Sequence, residues 1–132
     1  MRKITWLALW VAGILFPIAW FSQQIPGFDQ WFNRIFAPQW MHVLMHAFLY
    51  GVLAAGIVMI WPRCSLRTAL AAALLVGIAQ EVLQPLPAGR LPGSAALFDL
   101  AVDLCGAAAG LAVLKIARTI LFPRKSAIER NV

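Results

Sequence analysis

The chain has 132 residues, 62% of them hydrophobic and only 12% charged, against roughly 45–50% apolar and about 25% charged in soluble domains. A mean hydropathy of +0.80 says the same, and the length leaves room for one domain, residues 1–132, with no separate soluble module,. The net charge of +6 does not point to nucleic acid, because the Lys and Arg flank apolar runs and no basic recognition motif accompanies them,.

Four apolar runs are long enough to cross a hydrocarbon core, which takes about 20 helical residues. The first is expected over about residues 4–21. Arg2 and Lys3 precede it as they would a signal peptide, but residues 15–24 lack a small-x-small cleavage site,. It therefore reads as an uncleaved span, kinked near its far end by Pro17. In the loop that follows, Phe28, Trp31, Phe32, Ile35 and Phe36 recur at helical spacing, with Asp29, Gln30, Asn33 and Arg34 on the other face,. That pattern predicts a short helix over 28–36 in the membrane interface, a cover for the bundle or a lid over a site. The remaining spans are expected at about 41–60, 66–83 and 97–120. Only helices, or closed barrels that this pattern does not resemble, satisfy the backbone in lipid. The fold class is all-α, an integral membrane four-helix bundle.

Orientation follows from the bases. Arg2, Lys3, Arg63, Arg67, Lys115, Arg118, Arg124, Lys125 and Arg130 fall on one side of these spans, leaving Arg34 and Arg90 on the other. The positive-inside rule puts both termini in the cytoplasm. Trp20 and Trp40 on the outer side, with Trp6 and Trp61 on the inner, suit interface belts,.

Small residues recur every four positions: Gly51 and Ala55, Ala69, Ala73 and Gly77, Gly106 and Gly110. Such stripes let helix backbones approach closely in lipid. The last stripe extends back through Asp103 to Asp99, so both acids are expected on a packing face. Gly77, Glu81 and Gln84 share a face of the third span, and His42, His46 and Tyr50 are each a turn apart on the second,. Arg90 lies in the loop between Glu81 and Asp99. Cys64 and Cys105 are expected on opposite halves of the membrane, unpaired and inert,.

Charge at the head of a membrane span costs free energy unless it is used or paired. Four uses of this outer cluster stand open: a structural network in which Arg90 clamps Glu81 or Asp99, a ligand site with Arg90 reading phosphate or carboxylate, acid–base catalysis by a His–carboxylate pair, and a metal site on His42 and His46. The i, i+4 histidines suit a metal, but no HExxH motif supports one, and neither metal nor cofactor is expected. Catalysis lacks a nucleophile: Ser94, the only serine near the cluster, sits in a PGS turn without a nucleophile elbow,. Binding is favoured over catalysis.

The segment HAFLY, with His46 and Tyr50, then EVLQPLPAGR, with Glu81, Gln84 and Arg90, then FDLAVDLCGAAAG, with Asp99 and Gly106, resembles the VanZ-like family of small membrane proteins. The resemblance runs from about Trp40 to Lys115. Asp103 stands where the family usually has Asn, and His42-Val43 where it often has an Asp-Lys pair. It implies a multi-pass protein of the bacterial inner membrane, in an envelope and teicoplanin-resistance context, without naming a reaction. The expected function is to bind or modulate an envelope ligand, lipid-linked or anionic, at the outer leaflet. A small membrane enzyme acting on a lipid-linked or headgroup substrate is the alternative. The bilayer is the expected partner, and oligomeric state is left open.

Overall fold

The structure, a computed structural model, describes residues 2–121. Arg124, Lys125 and Arg130, counted above for orientation, lie outside the described residues. Those described are helical throughout their ordered elements: α1 (Arg2–Leu15), α2 (Ile18–Ser22), α3 (Phe28–Phe36), α4 (Gln39–Ile60), α5 (Leu66–Leu83) and α6 (Ala95–Leu121). A 3-10 turn, Leu86–Ala88, follows α5. Three helical segments are long and apolar enough to cross a membrane: α4, α5 continued to Ala88, and α6. At 1.5 Å per residue α4 and α6 reach about 33 and 40 Å, enough for a hydrocarbon core near 30 Å. Large apolar side chains face outward on all of them, among them Leu44, Phe48, Leu75, Leu97, Val113 and Ile120. Helices apolar all round belong in a lipid environment, and the chain is a membrane-embedded protein.

The first expected span, residues 4–21, is not one helix. α1 stops at Leu15, α2 restarts at Ile18, and Pro17 between them has φ −77° and ψ 64°. Proline has no N–H for the ladder, and inside a helix its ring would strike the carbonyl four residues back. That carbonyl, on Gly13, accepts from Phe16 N at 3.4 Å instead, and Phe21 N restarts the ladder on the Pro17 oxygen at 2.9 Å. Where a kink is expected, the chain makes a break. Alone, α1 covers about 21 Å, too little to cross.

Helix α4 is the centre, packed against α1, α3, α5 and α6. Its closest partner is α6. A Cβ on Gly106 would collide with the Ala47 backbone, one on Gly110 with the Gly51 backbone, and one on Gly51 would come within 3.0 Å of the Gly106 oxygen. The contact is therefore backbone on backbone. On the other side of α4, Trp6 lies over Gly56 and Trp10 donates its indole N–H to the Leu49 carbonyl at 3.1 Å. Residue numbers rise along α1 as they fall along α4, so these two helices are antiparallel. Leu53, Ala54, Ile57, Ala69, Ala73, Ala107 and Leu111 fill the core between α4, α5 and α6.

Helix ends have local causes. Ser65 caps α5, its Oγ accepting from Thr68 N at 3.1 Å,. Beyond α5, Pro85 leads into the 3-10 turn, closed by Gly89 at φ +66°, a left-handed conformation that suits glycine. Gly27, at φ +80°, precedes α3. There Asp29 in the first turn and Arg34 in the last complement the helix dipole,, and Phe28, Trp31, Phe32 and Phe36 stack along one side.

Candidate functional site

Two histidines on α4 face two aspartates on α6. His42 Nε2 lies 2.9 Å from Asp99 Oδ1, and His46 Nδ1 lies 2.8 Å from Asp103 Oδ1. Both pairs span the same 57 residues of sequence. A constant positive offset means that α4 and α6 run parallel and in register. One turn further along α4, the Tyr50 hydroxyl donates to Gln80 Oε1 on α5 at 2.7 Å. Three polar pairs thus stack like rungs at helical spacing, drawing on α4, α6 and α5.

The rungs deepen in order. His42 and Asp99 side chains are 39% and 14% exposed, His46 and Asp103 10% and 1%, and Tyr50 and Gln80 are both buried. The first rung meets the surroundings and the others are sealed. The His42 and His46 rings lie 4.3 Å apart between centroids. An ionised carboxylate only accepts, so each ring nitrogen facing an Asp carries the proton. That leaves His46 Nε2 and His42 Nδ1 with free lone pairs.

Asp103 is the most constrained member. Its Oδ2 is buried and has no hydrogen-bond partner among the described residues. The carboxylate occupies space left by the missing side chain of Gly77, where a Cβ would come within 3.0 Å of Oδ2 and of Leu100 Cδ2. The small residue on α5 is therefore a seat for the acid on α6, beyond any role in helix approach.

The remaining site residues divide. Glu81 is half-buried and within coulombic reach of both histidines and both aspartates. Gln84 is half-buried and makes no side-chain hydrogen bond among the described residues. Arg90 corrects an expectation. It is exposed and forms no ion pair among the described residues, whose carboxylate pairs are His42–Asp99 and His46–Asp103 alone. The expected Arg90 clamp is absent among the described residues: Asp99 is already paired with His42, and residues 86–95, Arg90 among them, are exposed throughout. Gln80 was missed. The stripe Ala69, Ala73, Gly77 continues to it by a three-residue step, and all four are buried, whereas the reading above followed the four-residue step to Glu81. Cys64 and Cys105 are free thiols.

No family model, curated protein or solved structure matches the chain. The class defined by fold and site is an all-helical, membrane-embedded protein with histidine–aspartate pairs at one end of its packed helices.

Proposed function

We propose that this chain is a VanZ-like multi-pass protein of the bacterial inner membrane that binds or modulates an envelope ligand at the outer leaflet. Four crossings and two cytoplasmic termini complete the reading, with α1 and α2 together as the first crossing and α3 as an interfacial helix. The teicoplanin-resistance context comes from the family resemblance in HAFLY, EVLQPLPAGR and FDLAVDLCGAAAG.

One observation carries it: two stacked His–Asp pairs, the outer one partly exposed, at the head of helices that are otherwise apolar. Buried ion pairs are no more stabilising than apolar packing of the same volume, so a purely structural lock has no need of two charged pairs at the head of apolar helices. An open outer rung over a sealed inner one suits a site that is entered. The enzyme alternative is favoured by the same dyads, because a histidine oriented by a carboxylate is a general base.

The test is native mass spectrometry of detergent-purified protein, wild type against His42→Gln and Asp99→Asn. A co-purifying envelope lipid or headgroup compound that both variants lose is the expected result. Equal retention by all three would reject the site. His46→Gln separates the readings: an enzyme loses turnover and keeps affinity, a binding protein loses affinity.

A further inference from the structure

We infer that His42, His46 and Asp99 bind a divalent transition-metal ion of the zinc class. The inference rests on the reading of this cluster as a ligand site and names what it first takes up. These three residues each offer a ligand atom, and the atoms all lie within 4.8 Å of one another. Two imidazoles and a carboxylate form a three-ligand set typical of zinc sites that keep a fourth position open.

The second rung supplies an independent observation. Histidines that ligate metal almost always donate the other ring N–H to a carboxylate, which fixes the tautomer and raises ligand basicity. His46 does this with Asp103: Nδ1 is held at 2.8 Å by a carboxylate that is 1% exposed. The free nitrogen is Nε2. The orienting acid is itself locked, seated against Gly77 and sealed from solvent.

The first rung fits the same assignment once the ion takes the place of the proton that His42 Nε2 shares with Asp99 Oδ1. The two atoms stand 2.9 Å apart, and with that proton released to solvent they must open by about 0.4 Å for both to reach an ion at roughly 2.0–2.2 Å in tetrahedral geometry. Charge points the same way. Glu81, Asp99 and Asp103 carry −3 when ionised, and Arg90 forms no ion pair with any of them. A divalent ion brings the cluster to −1 and leaves its open position for an oxygen of an anionic headgroup. It would supply the positive charge that the sequence reading sought in Arg90.

The experiment uses full-length protein, purified in detergent on a tag without histidines and stripped with chelator, then titrated with Co2+ and, by calorimetry, with Zn2+. Expected is one saturable site per chain, with a visible Co2+ spectrum that Zn2+ abolishes. His42→Gln, His46→Gln and Asp99→Asn each remove it. Asp103→Asn weakens it by about 10–100-fold while keeping the stoichiometry. Arg90→Gln leaves it unchanged. Folding of each variant is checked by size exclusion and circular dichroism, and the wild-type titration stands even if a variant fails. Absence of a saturable site on folded wild type, or binding that survives His42→Gln, overturns the metal site. If metal is absent but the envelope compound is still lost from His42→Gln and Asp99→Asn, the metal inference alone falls and the ligand reading stands.

Discussion

The aspartate at position 103 concentrates the energetics of the site in one side chain. It is sealed, holds one hydrogen bond to His46, and leaves Oδ2 against Gly77. Removing one partner of a buried pair costs about 3–5 kcal/mol, because the other is left uncompensated. His46→Leu should therefore destabilise the protein strongly, and Asp103→Leu should relieve much of that loss when combined with it. A double-mutant cycle on unfolding in detergent measures the coupling, expected at about 0.5–3 kcal/mol; additive losses would mean that the 2.8 Å contact contributes nothing. Gly77→Ala tests the seat separately. Its Cβ presses on both Asp103 Oδ2 and Leu100, and overpacking of this kind costs about 1–3 kcal/mol. An unchanged stability would show that Asp103 has room to move. At Arg90 the expected result is the opposite: Arg90→Gln should be nearly neutral for stability, since the side chain is exposed and has no ion-pair partner among the described residues. A loss comparable to that of His46→Leu would restore the clamp.

Among the helices, the glycines separate two effects of one substitution. Gly→Ala in a helix gains about 0.8–1.0 kcal/mol of intrinsic propensity. At Gly13 nothing among the described residues lies within 4 Å of an added Cβ, so Gly13→Ala should raise thermal stability slightly. At Gly106 and Gly110 the Cβ meets the α4 backbone, so Gly106→Ala and Gly110→Ala should lower it despite the same propensity gain. Equal shifts at all three sites would count against close α4–α6 packing. The packing faces were legible because small residues every four positions mark one face in any helix. So were helix as the class and the long apolar runs, since composition alone decides those. What the sequence could not carry was partner choice. Asp99 and Asp103 on a packing face do not reveal that α4 lies opposite at a fixed offset, and only that offset pairs His42 with Asp99 and His46 with Asp103. Gln80 was hidden for a related reason. At 3.6 residues per turn a stripe advances by three or four, and neighbouring Glu81 carries the more conspicuous charge. Pro17 was visible, but whether a proline bends or breaks a helix depends on how the freed Gly13 carbonyl is satisfied, here by the local Phe16 N, and residue spacing does not show that choice.

On the scale of the whole molecule, charge is separated along the bundle. Helix α1 begins, α4 ends, α5 begins and α6 ends at a common end, which carries Arg2, Lys3, Arg63, Arg67, Lys115 and Arg118. The opposite end holds Glu81, Asp99, Asp103, both histidines and the exposed Arg90. In the proposed orientation, which follows the positive-inside rule, the basic end would be cytoplasmic and the His–Asp rungs would lie at the outer leaflet. The contested part is the first crossing, because α1 alone is too short. Its packing runs along α4: Trp6 meets Gly56 towards one end, Trp10 meets Leu49 near the middle, and α2 leads to α3 beside the start of α4. In the proposed four-crossing arrangement α1 and α2 would cross alongside α4, with the Pro17 break inside the crossing. Single cysteines in a background of Cys64→Ala and Cys105→Ala decide between four crossings and three. Lys3→Cys and Ser65→Cys should react with an impermeant thiol reagent only from the cytoplasmic side, and Gln30→Cys only from outside. Labelling of Lys3→Cys from outside, with Ser65→Cys still cytoplasmic, would leave three crossings and a first segment lying on the membrane. Reaction of Gln30→Cys from the cytoplasm alone would invert the molecule, and the His–Asp site would then face the cell interior.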